Sequence, residues 1–245
     1  MGHSDREIPA DAARVWRGFR SLSTPLEDFF HLLGTAFIPS TVALQAKAGL
    51  DTYVPTVVAG LPGKPDTVPD ETAILFWDTQ QAYVDAFKTL AVRAYHLTHG
   101  PVYTPESRGD YPEVFNGQLA VDQPSFLVRT PADWMRGEIK HLIGSRASGE
   151  TSDAFCAEVA QVVGGLQPGA GIDGAIVCVG PHYLVYWVLG NAADDGTAAL
   201  ASLCEWSHLA MPRPTVLPAG LWDDWPGMTV ASGDSFNMQF RRQWE

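Results

Sequence analysis

The densest cluster of groups able to move protons lies between Arg93 and Arg108. Arg93, Tyr95, His96 and His99 fall in one predicted helix, and Tyr103, Glu106, Ser107 and Arg108 follow in the loop after it. An imidazole exchanges protons near neutral pH, and a neighbouring phenol or guanidinium steadies an oxyanion, so the set suits general acid–base chemistry. His96 and His99 stand three residues apart, on neighbouring helix faces. No HExxH motif or carboxylate pair accompanies them, so a metal site is not expected. The expected catalytic set is His96 with Arg93, Tyr103 and His99. The structural alternative is a solvated or helix-capping histidine near a helix end.

A second group reads as substrate contacts. Trp77 and Tyr95 belong to the same strand–helix unit, and His182 and Tyr186 lie among aromatic residues on a predicted hairpin. Aromatic residues make up 11% of the chain, with 8 tryptophans, some beside acidic residues as in Trp222-Asp223-Asp224-Trp225. Such content packs a core, or walls a pocket for an aromatic or other largely apolar ligand. His141 follows Arg136, Glu138 and Lys140; if those three share one strand face, His141 shares the other with Met135 and Ile139 and points inward. No catalytic triad, phosphate loop or GxGxxG pattern occurs, so no nucleotide cofactor is expected.

These residues need a scaffold, and the stretch from Glu71 to Tyr111 supplies the clearest part of it. ETAILFWD has the length and composition of a buried strand. Thr79 is placed to cap a helix running from Gln80, with an apolar stripe through Tyr83, Phe87, Leu90, Ala94 and Leu97; Gly100-Pro101 ends it. On that stripe His96 falls at the margin and His99 nearly opposite. Upstream, Ala13–Leu22 reads as a strand weakened or bulged at Gly18. Thr24-Pro25 starts a helix that Pro39 breaks or kinks, and a second piece reaches Ala48. Thr52–Ala59 is a strand whose Pro55 predicts an edge or a bulge.

In the second half, Gln118–Val128 contains a strand and Thr130–Asp133 a turn. Trp134–Ser145 is a strand, Thr151 or Ser152 caps a helix through Leu166, and Gly174–Gly190 forms a hairpin around Gly180-Pro181. A helix through Ala199, Leu203, Cys204 and Trp206 ends near His208, and coil with one or two strands completes the chain.

Each half thus reads strand, helix, strand, strand, helix, strand. The predicted fold is α+β: residues 1–12 flexible, then two fused ferredoxin-like βαββαβ units at 13–130 and 131–245. The open face of each sheet must be covered, most simply by the other sheet, which gives an α/β barrel in one chain.

The strand ending in FWDTQQAYVDA, its helix and the following loop resemble units of the dimeric α/β-barrel superfamily. That superfamily includes antibiotic-biosynthesis monooxygenase-like domains and fused, chlorite-dismutase-like haem proteins. The resemblance implies a site between sheet and helices or inside the barrel. It implies a cyclase, isomerase or cofactor-free monooxygenase on a small aromatic or apolar molecule, in biosynthesis or degradation. It also permits a haem enzyme, with non-covalent haem b on His96, His141 or His182, since no CxxCH is present. A non-catalytic ligand-binding module is the third reading.

Composition narrows the partners. With 16 Lys and Arg against 28 Asp and Glu, the formal charge is −12, which disfavours nucleic acid and anionic lipid. No apolar run reaches the length of a membrane span, and the N-terminus lacks a signal-peptide core. Cys156, Cys178 and Cys204 are too scattered for a zinc motif and read as buried free thiols, so a cytoplasmic location is expected. Oligomer formation is left open by the fusion of two units.

Overall fold

The computed structural model describes residues 12–45, 48–129, 134, 137–167, 169–216 and 229–239. The predicted flexible N-terminus up to Asp11, and Met135, Arg136, Trp222 and Trp225, lie outside them.

The period-2 pattern of the first strand sets two faces. In β1 (Ala13–Gly18), Ala13 and Val15 face one core while Trp16 packs on another. β1 pairs antiparallel with β3 (Glu71–Trp77), Gly18 lying opposite Glu71, with no bulge. Of the two expectations for Gly18, a weakened strand or a bulge, the bulge is absent. Glycine is needed there for a different reason: a Cβ would lie 2.7 Å from the Tyr103 ring and 2.8 Å from Trp16 Nε1.

α1 (Leu26–Leu32) starts after Pro25, not after a Thr24 cap. Pro39 does not break the helical run, which passes through a five-residue π-helix (Leu33–Phe37) into α2 (Ile38–Gln45). Proline offers no N–H and crowds the turn before it, and the wider π turn absorbs that. β2 (Leu50–Val57) is not an edge strand. It pairs with β3 on one side and with β12 (Phe236–Gln239) on the other. Its irregularity lies between Leu50 and Thr52, not at Pro55.

The helix expected from Gln80 is two helices, α3 (Gln80–Ala86) and α4 (Leu90–Leu97). Thr79 caps the first, accepting from the Ala82 N–H at 3.0 Å, and Thr89 caps the second. The interruption turns α4 so that Leu90 and Leu97 are exposed and Val92 is buried, which overturns the predicted apolar stripe. Next come β4 (Arg108–Asp110), β5 (Glu113–Val114), β6 (Ser125–Arg129) and β7 (Ile139–Arg146). α5 (Ser152–Gly164), capped by Thr151, leads to the expected hairpin of β8 (Ile172–Val179) and β9 (Tyr183–Gly190). α6 (Thr197–Ser202) is shorter than predicted: Cys204, Trp206 and His208 belong to β10 (Cys204–Ala210), whose side chains alternate in exposure. The period-2 signal of CEWSHLA wins over the helical one. β11 (Arg213–Val216) and β12 complete the order.

The strand orders are β11-β12-β2-β3-β1-β4 and β10-β7-β9-β8-β6-β5. At the heart of each sheet a unit's four strands lie in the order 4-1-3-2, the ferredoxin-like arrangement. The units exchange additions: β5 and β6 extend the second sheet, while β11 and β12 extend the first. The expected division at residue 130 therefore does not coincide with the sheets. α1, α2 and α4 cover one face of the first sheet, and α5 and α6 one face of the second. The other two faces share a core through Val15, Val54, Ile74, Ile143, Ile176 and Trp187. Among the described residues the sheets remain separate ladders, so their hydrogen bonds do not close a barrel. No helix among those residues is long and apolar enough to cross a membrane.

Two buried polar groups tie the sheets together. Arg17 donates to Asp110 Oδ2 at 2.6 Å and to the Tyr183 hydroxyl at 3.3 Å. His141, fully buried, stacks on Trp187 with ring centres 4.1 Å apart. Its Nδ1 donates to the Tyr186 carbonyl at 3.0 Å, and its Nε2 accepts from the Thr72 hydroxyl at 2.7 Å. That pattern requires the neutral ring, and burial pushes its pKa down to about 3. His141→Ala would orphan both partners and open a cavity, and is expected to cost about 3 kcal/mol. Urea unfolding checks this, and a change below about 1 kcal/mol would contradict the keystone role.

Candidate functional site

The helix-facing side of the first sheet carries a cavity of about 230 Å³. Its floor comes from alternate strand positions: Arg14 and Trp16 on β1, Glu71 and Leu75 on β3, and Tyr53 on β2. Phe37 and Thr41 close it from one side, Tyr95 and His96 from α4, and His99 from the turn just past its end. Tyr103 enters from the turn after α4, where its N–H and that of Val102 both bond the His99 carbonyl at 2.9 Å. Gly18, lacking a side chain, leaves its ring room.

Glu71 is the centre of the cavity. Its carboxyl is buried and receives three donors from three elements. Tyr103 Oη donates to Oε2 at 2.5 Å, Trp16 Nε1 to Oε2 at 3.1 Å, and Tyr53 Oη to Oε1 at 3.3 Å. Burial raises its pKa, and the bonds from Tyr103, Trp16 and Tyr53 pull against that without cancelling it. Oε2 is doubly engaged, while Oε1 holds one long bond and keeps lone-pair capacity. Oε1 is therefore the oxygen able to take a further proton. Tyr53 and Tyr103 are pushed well up, first by burial and then by the facing carboxyl, so both remain phenols.

Aromatic rings surround this carboxyl. His99 lies 4.7 Å from Phe37 and from Tyr95, centre to centre, and stacks on Tyr103 at 5.6 Å. Its Nδ1 donates to the Tyr95 carbonyl at 3.2 Å, and burial brings its pKa down to about 4. A neutral ring with Nε2 as the acceptor follows. His96 is lowered too, by burial and then by Arg14.

The expected catalytic residues separate accordingly. His96, His99 and Tyr103 are brought together at the cavity. Arg93 is exposed on α4 and is absent from its walls. His99 does not point away from the core as expected, because α4 ends at Leu97 and His99 lies in the turn beyond it. Of the expected substrate contacts, Tyr95 lines the cavity, its hydroxyl bonded to Thr41 and to the Phe37 carbonyl. Trp77 is fully buried and not part of the wall, its ring edge-on to that of Tyr83 with centres 5.2 Å apart. Tyr186 belongs to the core of the second unit, donating to the Asp195 carbonyl at 2.6 Å. His182 is exposed and borders a different cavity, of about 430 Å³. That larger space has no buried carboxyl or imidazole in its lining: Asp70 pairs with Lys64, and Asp122 with Arg108 and Tyr183.

Glu71, Trp16, Tyr53, Thr41 and Arg14 were not anticipated. The available signal was a glutamate opening an apolar strand, in register with Ala73, Leu75 and Trp77 on one face.

The axial candidates do not fit haem, which needs a histidine lone pair facing an apolar slot. Both nitrogens of His141 are engaged within the core. His182 is exposed, with Nδ1 bonded to Arg146 Nη2 at 3.0 Å. His96 borders a cavity of about 230 Å³, room for one or two rings but not for the four pyrroles of a porphyrin. Among the described residues no group of three or more His, Cys, Asp or Glu could hold a metal ion, and the cysteines are free.

Fold and site together define a two-unit ferredoxin-like α+β chain with a buried carboxyl in an aromatic cavity. No protein-family model matches the sequence, and no curated protein matches it. Among solved structures it is similar to a candidate monooxygenase from Fusobacterium nucleatum subsp. nucleatum. The two share 8% identity over 81% of this chain and 89% of that one, with a TM-score of 0.39. A candidate monooxygenase from Lactobacillus acidophilus is 6% identical over 81% and 91%, with a TM-score of 0.34. An anthrone oxidase-like protein is 11% identical over 83% and 92%, with a TM-score of 0.36. Likeness at this level says nothing of substrate or chemistry.

The two titrating groups of the site act on stability with opposite signs. Glu71 holds its proton more tightly folded than unfolded, so its contribution is lost as pH rises from 4.5 through its raised folded value. His99 resists protonation when folded, so its contribution is lost as pH falls from 6.5 to about 4. Either slope reaches about 1.4 kcal/mol per pH unit. Glu71→Gln is expected to steepen the gain of stability with pH in this range, and His99→Gln to turn it toward a loss. Urea unfolding at a series of pH values checks both, and unchanged slopes would contradict the assignment.

Proposed function

We propose that the protein is an enzyme that removes a proton from an aromatic or largely apolar small molecule bound in this cavity, with Glu71 as the base. The observation that carries the reading is the Glu71 carboxyl, buried beneath three donors in a ring-walled space and raised in pKa by desolvation. A carboxyl shifted up from its usual range is a stronger base, and a dry site sharpens that effect. An apolar cavity of about 150 Å³ takes up benzene, so this one has room for a one- or two-ring compound.

Substrate enters past His96 and lies against Phe37, Tyr95 and His99. Glu71 Oε1 takes the proton, and the negative charge spreads into the ring system of the substrate. Tyr103 and Tyr53 hold the carboxyl in place and re-aim their hydroxyls as its charge changes. Neutral His99 takes or returns a proton at Nε2. Reprotonation elsewhere gives an isomerase, and attack on an internal carbonyl gives a cyclase. Where the reacting carbon is a CH₂, its carbanion adds O₂ to form a hydroperoxide; loss of the second C–H proton as the O–O bond breaks leaves a C=O and releases the other oxygen as water, which makes a cofactor-free monooxygenase.

The test is deuterium exchange, in D₂O, at the acidic C–H of aromatic ketones, followed by NMR, with O₂ uptake recorded in parallel. The native protein is expected to accelerate exchange, and Glu71→Gln to lose about 10²-fold or more. His96→Ala is expected to lose less, because His96 stands at the entrance. Equal exchange by native protein and Glu71→Gln would refute the base assignment.

A further inference from the structure

We infer that the molecule taken by this cavity is an anion, an aromatic compound carrying a carboxylate-like oxyanion that seats on Arg14 at the end remote from Glu71. The inference rests on the reading of Glu71 as the base and adds the substrate class to it.

The strand register places the two groups. Arg14 stands opposite Leu75 and Gly18 opposite Glu71. Leu75 and Glu71 are four residues apart on the same face of β3, hence roughly 13 Å apart at the backbone at about 3.3 Å per residue. Both Arg14 and Glu71 line the one cavity, with Trp16 between them on its floor. A rod-like aromatic acid spans such a distance, with its charged end at one side and its reacting end at the other.

The Arg14 guanidinium is held in a way that leaves its charge for a ligand. Its carbon lies 4.1 Å from the centre of the Tyr83 ring and 4.7 Å from that of Tyr111. These contacts occupy a face and fix the plane. One Nη2 hydrogen goes to the Gly109 carbonyl, and guanidinium carries five N–H donors along its edge. Among the described residues no carboxylate pairs with Arg14. Its neighbours differ: Arg17 and Arg108 both bond Asp110, at 2.6 and 2.7 Å, and Arg108 also approaches Asp122 at 3.5 Å. A half-buried cation without a counter-charge is costly unless something supplies one. In a chain of net charge −12, the general field repels anions, so an acid must be recognised at a discrete positive point. Planar, bidentate capture of a carboxylate is what guanidinium does best.

Separation also keeps the two ends compatible. A ligand carboxylate on Arg14 stays far from Glu71 and does not compete for the proton that Glu71 must take. Charge that builds on the substrate during proton removal is drawn toward the guanidinium.

Isothermal titration with 2-naphthoate and its neutral counterpart 2-naphthamide tests this on the native protein, Arg14→Gln, Arg14→Lys and Glu71→Gln, with circular dichroism confirming that each variant is folded. The native protein is expected to bind naphthoate about tenfold or more tightly than naphthamide. That preference is expected to vanish in Arg14→Gln, to return in part in Arg14→Lys, and to persist in Glu71→Gln. Equal binding of the two probes, a preference that survives Arg14→Gln, or binding of neither would overturn the inference. Failure of the base assignment has a different signature, an exchange rate unaffected by Glu71→Gln while the Arg14-dependent preference stands.

Discussion

A carboxyl group buried among aromatic rings is the constraint on which this site depends. Moving an ionised glutamate out of water costs several kcal/mol, and each hydrogen bond to the charged group returns about 1.5–3 kcal/mol. Glu71 meets the cost with Tyr103, Trp16 and Tyr53, yet its pKa remains raised. The compensation is incomplete, and that residue of unfavourable energy is what makes the carboxyl a base. The surroundings follow from it. Gly18 must lack a side chain so that Tyr103 and Trp16 can reach Oε2. The turn after α4 must be tight enough to bring Tyr103 in. β1, β2 and β3 must keep their register, because one residue of slip would carry Glu71 to the opposite face.

Among the described residues the second unit contributes no wall to this cavity, but it holds the first in place. Its sheet backs onto β1, β2 and β3, and Arg17 and His141 bridge the gap. The exchanged strands lock the arrangement: β12 extends the sheet beside β2, and β6 extends the other beside β8. The floor of the site is thus clamped from behind, while its roof is made of short helices.

Much of the fold was legible from local pattern. The β8–β9 hairpin, the Thr79 cap, the cap offered by Thr151 or Ser152 and the first five elements of each half follow from spacing and turn residues, but the fourth strand of each 4-1-3-2 sheet does not: β4 lies in a stretch that reads as loop, and β10 in one that reads as helix. What failed were places where two periods compete or where partners are distant. CEWSHLA reads as either helix or strand, and pairing with β7 decides for strand. The single helix from Gln80 was broken at Thr89, a good cap that a continuous stripe disguised, and His99, in the turn beyond the helix end at Leu97, was assigned to the wrong side. Among the site residues, His96, His99, Tyr95 and Tyr103 were visible because they cluster in sequence. Glu71 was not, because its donors lie 55, 18 and 32 residues away. No local spacing announces a network of that kind; only the face it occupies on β3 hints at it.

The account turns on the protonation of one group. The most direct measurement is a carbon-13 NMR titration of glutamate side-chain carboxyls in the uniformly labelled protein, with Glu71 assigned by its absence in Glu71→Gln. The account predicts one carboxyl that titrates above the usual 4.5 and shifts when Tyr103 is replaced by Phe. A Glu71 resonance titrating at or below the ordinary glutamate value would contradict it, and would make the carboxylate a structural anchor for its three donors.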